Sequence, residues 1–419
     1  MAKFSKKHVI LCILAIFIIA IAIKMLLPYR WGYFAKGPAM KYEHKYADAI
    51  KLDNGNILVL GTNSHQRAIK DNNLEIKETP SEIYNIKNNT FETVKLPNTI
   101  AYHNKGILLK NNKLLLTFAY APYGAKKYSK YGSPYDIKHP FPYDSMAIID
   151  LNTMKIEKII QKKINKTKRP TEFDSFTLLN NGKVLILDGT SQPRSMEIYN
   201  PETNTSKLLN IKINKTNQVA VVPNGENKAL IFGESYNKDK DKEKYYGDLD
   251  TVLEYDDSTE TIKTVGKNLR RLSPQAIRIN NENILLLGGH ISRDTFMQKS
   301  KFHPDSEVEV YNTKTNTSKI IGHLAKRRYS EPHDAYLDFT TLFIGKDILL
   351  ITGGYEPSIP SKISTKDTEI IDIKTGKISK GPKMRYRESE HKMLKLKNGK
   401  FIIIGSKKTQ LFKTWKGGD

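Results

Sequence analysis

The chain has 419 residues, 39% hydrophobic and 9% aromatic, which is enough apolar surface for a sizeable core and too much for a disordered chain. Its formal net charge is +24, yet the lysines are scattered through an asparagine-rich sequence and form no block, so charge alone does not specify a nucleic-acid binder. The only cysteine is Cys12, inside an apolar run, which excludes a disulfide, a thiolate metal site or a cysteine nucleophile from the remainder.

Residues 1–8 form a short basic stub with Lys3, Lys6 and Lys7. Val9 to Ile23 is wholly apolar, and Met25 to Leu27 extends it past Lys24, so residues 9–27 are long enough to cross a bilayer if Lys24 snorkels to the interface. Pro28 ends this predicted transmembrane helix, and Tyr29, Trp31 and Tyr33 follow as candidates for the interfacial belt. Basic residues ahead of the span predict a cytoplasmic amino terminus and a large domain outside the cell membrane, in a single-pass protein. The alternative is a cleaved signal peptide, since Ala20-Ile21-Ala22 has a small-x-small cleavage pattern.

Beyond the span, one phrase returns seven times. Its plainest form is LLNNGKVLILDG (Leu178 to Gly189), with copies at Ile50 to Gly61, Gly106 to Ala119, Val219 to Gly233, Ile277 to Gly289, Thr340 to Gly354 and Leu394 to Gly405. Each copy reads as a β-hairpin, two apolar strands around an Asn-Gly or Asn-Asn turn whose residues tolerate positive φ. Six copies are followed by a third strand, such as SEIYNI (Ser81 to Ile86), MEIYNP (Met196 to Pro201) or VEVYNT (Val308 to Thr313), then a polar turn and a fourth strand. Four short strands per unit without helical periodicity predict the blades of a propeller.

The seventh copy reaches the carboxyl terminus after only a third strand, near Thr409 to Thr414. The missing fourth strand is at the other end of the chain. Lys36 to Gly61 aligns without a gap to Lys380 to Gly405, so Arg30 to Lys36 corresponds to the fourth strand of blade six. It has no blade of its own, and the expectation is that it completes blade seven and closes the ring, removing the exposed sheet ends. The predicted domain is an all-β, seven-bladed propeller over residues 30–415, with 416–419 as a tail.

These features resemble the kelch-repeat β-propellers, the type found in the central domain of galactose oxidase and in bacterial sialate mutarotase. The carriers are the hairpins ending in Gly288-Gly289 and Gly353-Gly354, the Tyr-Asn or Tyr-Asp of the third strand, and the Gly-Pro-x-Met after the fourth. The fourth-strand tryptophan of that family is missing from six blades, leaving Trp31 or Trp415 as its echo. The resemblance implies a fold shared by enzymes and binders alike. Galactose-oxidase chemistry is not implied, because its copper-radical site uses a cysteine joined to a tyrosine and Cys12 precedes the propeller. No cofactor or metal is expected, and no nucleotide-binding or serine-hydrolase phrase is present.

In this architecture the connections from fourth strand to next first strand, and from second to third, share the face around the central mouth. Seven of the twelve arginines fall in the fourth-to-first connections: Arg169, Arg270, Arg271, Arg327, Arg328, Arg385 and Arg387. The planar guanidinium fork suits carboxylate, sulfate or phosphate, so these residues predict an anion-binding rim. The bland alternative is pairing between neighbouring blades. His333, Glu388 and His391 share the rim and complete the candidate ligand-binding set, a mixture that also permits general acid–base chemistry. A long second-to-third connection, Tyr120 to Asp144, interleaves aromatic and basic residues, fit either for contact with sugars or protein or for covering a blade edge. The leading expectation is a membrane-anchored recognition module for an anionic glycan or protein partner, with no nucleic acid expected outside the cell. A sialate-mutarotase-like epimerase acting on an acidic sugar and a scaffold subunit of an envelope complex are the alternatives.

Overall fold

The computed structural model describes residues 13–19, 21, 30–44, 48–61, 63–70, 73–78, 80–96, 105–117, 145–164, 175–187, 194–213, 219–233, 251–268, 274–289, 306–325, 339–356, 363–389 and 391–415. The fold is an all-β, seven-bladed propeller with one short helix. Each blade is a four-stranded antiparallel sheet; blade three, for instance, orders Ser175–Leu178, Val184–Leu187, Arg194–Asn200 and Thr205–Ile213 from one edge to the other. The second strands have apolar, enclosed centres, and Val184–Leu187 and Phe401–Ile404 are apolar and buried throughout, because both faces of the inner sheet meet neighbouring blades. The fourth strands are largely exposed or half-buried, as an outer edge in contact with water requires.

The core is divided among the blade interfaces. Seven apolar clusters occur among the described residues, one between each pair of neighbouring blades. One of them joins Ala49, Ile57 and Val59 of blade one to Leu396, Ile402 and Ile404 of blade seven, so the ring is closed by packing as well as by pairing. Closure follows the expected scheme: Tyr33–Lys36 pairs antiparallel with Thr409–Lys413, in the register Tyr33 to Lys413 and Lys36 to Gln410. The closing strand is shorter than Arg30 to Lys36. Gly32 adopts φ +147° directly over the Lys413 carbonyl, where a side chain has no room, and Arg30 and Trp31 form a 3-10 turn ahead of it.

The hairpin turns differ in detail from the expectation that both central residues have positive φ. That holds at Asn111-Asn112 (φ 60° and 53°). In Asn54-Gly55, Asn181-Gly182 and Asn398-Gly399 only the glycine does. There the asparagine works through its side chain, whose Oδ1 accepts from the backbone N–H two residues on, at 2.9 Å in Asn54 to Asn56 and 3.0 Å in Asn181 to Lys183.

Two further ribbons were not foreseen. Asn63–Lys70 pairs with Asn73–Glu78 between the second and third strands of blade one, and Tyr355–Glu356 pairs with Ile363–Ser364 at the same place in blade six. At the amino terminus, residues 13–19 and 21 are helical and exposed, and the rest of the predicted span 9–27 lies outside the described residues, as does the 1–8 stub. No helix among the described residues is long and apolar enough to cross a membrane. The 120–144 connection and the 416–419 tail also lie outside them.

Candidate functional site

The described part of the arginine rim is the connection that enters blade seven, and its position is set by a repeated anchor. One residue of the third strand, in register with the second half of the second strand, turns a buried carboxylate or amide towards the preceding connection. Glu82 accepts from the backbone N–H groups of Lys41 and Tyr42 at 3.0 and 3.2 Å, and Glu197 from those of Lys163 and Ile164 at 2.7 and 2.8 Å. Glu369 accepts from Ala325 N–H at 2.6 Å, and Gln410 from Arg385 and Tyr386 N–H at 2.7 and 3.2 Å. All four acceptors are buried. Each therefore satisfies backbone groups that would otherwise be stranded in the interior, and each holds its connection against the blade it enters.

This anchor fixes the backbone of Arg385 while its side chain stays exposed, and the guanidinium has no carboxylate partner among the described residues. Arg387 is also exposed and donates through one guanidinium nitrogen to the Ser364 carbonyl at 2.9 Å. Between them, Tyr386 lies under the Lys408 ammonium, 4.7 Å from the ring centroid. Three cationic side chains thus gather at the blade-six to blade-seven junction.

Glu388 and His391 sit deeper, at the same junction. Glu388 forms a β-bridge with Thr365 and accepts at its carbonyl from Gly354 N–H at 3.3 Å, while its carboxyl rests on Gly405, where any side chain would overlap it. Burial pushes this carboxyl up to about 7, with the Lys408 charge pulling the other way. His391 is enclosed, its Nε2 2.7 Å from Thr352 Oγ1, and its ring occupies the space left by Gly353 at φ +69°. Both are packed into the joint, whereas the arginines are displayed on it. Arg169, Arg270, Arg271, Arg327, Arg328 and His333 lie outside the described residues.

The position that holds Glu388 in blade seven holds His44 in blade one, by the gapless alignment of the two connections. His44 is buried, with Nδ1 donating to the Leu60 carbonyl at 3.1 Å and Nε2 2.7 Å from Glu82. Burial pushes the Glu82 carboxyl up, but the His44 bond and the two amide donors outweigh it and hold it below the usual carboxylate range. The anchoring glutamates were missed in sequence, although the Glu of SEIYNI, MEIYNP, VEVYNT and TEIIDI recurs at one position and is a charged residue inside an otherwise apolar strand.

A separate cavity of about 630 Å³ lies between blades two and three, on the face formed by the hairpin turns. Lys110 and Glu202 approach to 3.6 Å at its edge, both largely exposed, and Leu109, Ile148 and Leu179 form an apolar floor. It contains none of the predicted site residues. Among the described residues no cluster of three or more histidine, cysteine or acidic side chains is arranged to hold a metal.

No protein-family model matches the chain, and no curated protein matches it in sequence. Its fold, by contrast, is shared with many solved structures. One is a fungal alcohol oxidase of the AA5 family in complex with copper, which aligns over 92% of this chain and 76% of that one with a TM-score of 0.60 at 12% identity. The class is thereby established as β-propeller. At this identity the likeness concerns the fold alone.

Proposed function

We propose that the chain is a kelch-type propeller, held at the cell membrane by residues 9–27, that binds an anionic glycan or an acidic protein segment at its arginine-bearing face. The observation that carries this reading is Arg385: a fixed backbone presents an exposed guanidinium with no acidic partner among the described residues. A purely structural arginine would be spent on a neighbouring blade, whereas here the backbone amide makes the joint and the side chain is left for a ligand. The anchor is supported by the apolar run Val9 to Ile23 and by the helix at residues 13–19, whose side chains, including Ile16 at 67% and Phe17 at 64% exposure, pack against no core.

The test is a binding screen of the full chain in detergent against sialylated, uronate-bearing and sulfated glycans, repeated with Arg385→Ala and Arg327→Ala. Each change is expected to weaken binding about tenfold at low salt, a difference that shrinks as added salt screens the charges. Binding that neither change alters removes the reading. A second reading, an epimerase acting on an acidic sugar, is favoured by one observation, the Glu388 carboxyl raised by burial to about 7 at the junction that displays the arginines. Anomeric exchange of sialic acid followed by NMR decides it: no acceleration over buffer eliminates the enzyme.

A further inference from the structure

We propose that the two ends of the propeller together form a docking surface for an anionic lipid bilayer, built from Trp415, Tyr33, Arg30 and Lys413, and that the arginine-bearing mouth consequently faces away from the membrane. This rests on the anchor reading of residues 9–27.

The chain has two tryptophans with opposite environments. Trp31 is half-buried and packs on the core between blades six and seven, beside Phe34, Met384 and Phe412. Trp415 is 62% exposed, although its ring lies 4.9 Å from that of Tyr33. Outside the amino-terminal helix, the other large exposed apolar residues among those described are Ile159, Leu208 and Ile320, single side chains on three different blades. Among these described residues, Trp415 is the one whose exposed surface meets a second aromatic ring, Tyr33, that itself carries a cation. Arg30 stacks on Trp31 at 4.9 Å, and the Lys413 ammonium lies 5.9 Å from the Tyr33 centroid. Neither Arg30 nor Lys413 is paired with a carboxylate among the described residues, and Lys416 follows in sequence. Amphipathic rings flanked by unpaired cations are what the headgroup layer of an anionic membrane accommodates.

Chain length makes the placement unavoidable if the anchor spans the bilayer. Only Pro28 and Tyr29 separate Leu27 from Arg30, a reach of about 10 Å when fully extended. The closing strand then begins at Tyr33, and its register with Lys413 brings the carboxyl-terminal Trp415 to the same spot. This spot lies where the third strand ends and the fourth begins, on the hairpin-turn face. The arginine-bearing connections leave from the opposite ends of the strands. A bilayer at Trp415 therefore leaves the mouth pointing outwards.

The experiment uses the full chain reconstituted in phosphatidylcholine vesicles with or without phosphatidylglycerol. Flotation reports the anchor, and quenching of tryptophan emission by brominated lipid reports the docking surface, with Trp415→Phe separating the two indoles. In anionic vesicles the wild-type emission should be quenched about twofold, and most of that quenching should vanish in Trp415→Phe. Arg30→Gln combined with Lys413→Gln should reduce it, as should omission of phosphatidylglycerol. A protein that floats while its Trp415 stays unquenched overturns the docking surface and leaves the anchor standing. Quenching that is equal without anionic lipid overturns the charge component. A protein that does not float overturns the anchor and the docking surface with it.

Discussion

His44 Nε2 lies 2.7 Å from the Glu82 carboxylate, and neither side chain has any solvent exposure. Glu82 comes from the third strand of blade one, whereas His44 belongs to the connection that leaves the closing strand, so the pair ties the joint between the two ends of the ring. The His44 ring thus bridges the Glu82 carboxylate and the Leu60 carbonyl. His44→Ala strands a buried carboxylate and is expected to cost about 3 kcal/mol. Glu82→Gln keeps an acceptor for the Lys41 and Tyr42 amides, as Gln410 does naturally in blade seven, and should cost less. Because the folded-state Glu82 pKa lies below its ordinary value, its contribution is present above about pH 4.5 and disappears as pH falls through the lowered value. Denaturant titrations of both variants between pH 3 and 7 check the order and the pH window.

Glu388 has the opposite linkage. Its carboxyl is pushed up from 4.5 to about 7, so the folded state holds this proton more tightly than the unfolded chain. Stability from this group is therefore highest below about pH 4.5 and declines as pH rises to 7. Glu388→Gln, which cannot ionise, should match the wild type at pH 4 and exceed it by up to about 3 kcal/mol at pH 8. Lys408→Met removes the charge that lowers this pKa and should shift the decline to higher pH. A Glu388→Gln advantage that does not grow with pH would falsify the assignment.

The blade count and the closing strand were legible in sequence because they rest on period and self-similarity, which survive one-dimensional reading. Arg30 to Lys36 was assigned through its match 344 positions downstream, and Tyr33 does pair with Lys413. The anchoring residues Glu82, Glu197, Glu369 and Gln410 escaped because their role depends on register: each faces a connection dozens of residues away in sequence, and a strand pattern does not show which polar residue meets free amides. The rim was legible as a list of arginines only. Composition could not distinguish the displayed Arg385 from the enclosed His391, six residues on, since the ring of His391 fills the space left by Gly353, in a strand of blade six.

The third-strand tyrosines make a second repeated bond. The hydroxyls of Tyr84, Tyr199 and Tyr311 donate to Asn89, Asn204 and Asn316 at 2.9, 3.1 and 3.1 Å, and each of these asparagines sits at φ near 55°. One residue thus meets two needs, a left-handed turn and a partner for a buried hydroxyl. Burial, with a smaller effect from the Glu157 charge, pushes the Tyr199 hydroxyl up to about 12, so it stays a donor throughout the physiological range. Tyr199→Phe is expected to cost about 1 kcal/mol, and Asn204→Gly a similar amount, since glycine accepts the backbone angle but not the bond. The double variant should cost less than the sum, which thermal unfolding of the four proteins measures.

The closing strand ends in a joint that blade six repeats. Gly37 N–H donates to the Thr409 carbonyl at 3.1 Å and Thr409 Oγ1 to the Pro38 carbonyl; in blade six, Gly381 N–H donates to Thr368 O at 2.9 Å and Thr368 Oγ1 to Pro382 O. At both glycines an added methyl group would overlap the threonine hydroxyl. The local clash is the same, but its consequences are not. The third and fourth strands of blade six are joined through the turn at residues 373–376, so a displaced Gly381 remains tethered to its sheet. The matching strands of blade seven come from opposite ends of the chain and are held by pairing and packing alone. Gly37→Ala should therefore destabilise more than Gly381→Ala, by about 1–3 kcal/mol in excess, and should loosen the ring before it unfolds. Amide exchange followed by mass spectrometry is the check: Tyr33–Lys36 and Thr409–Lys413 should lose protection selectively in Gly37→Ala. Equal, global loss of protection in both variants would show that closure is no weaker than a covalently continuous blade.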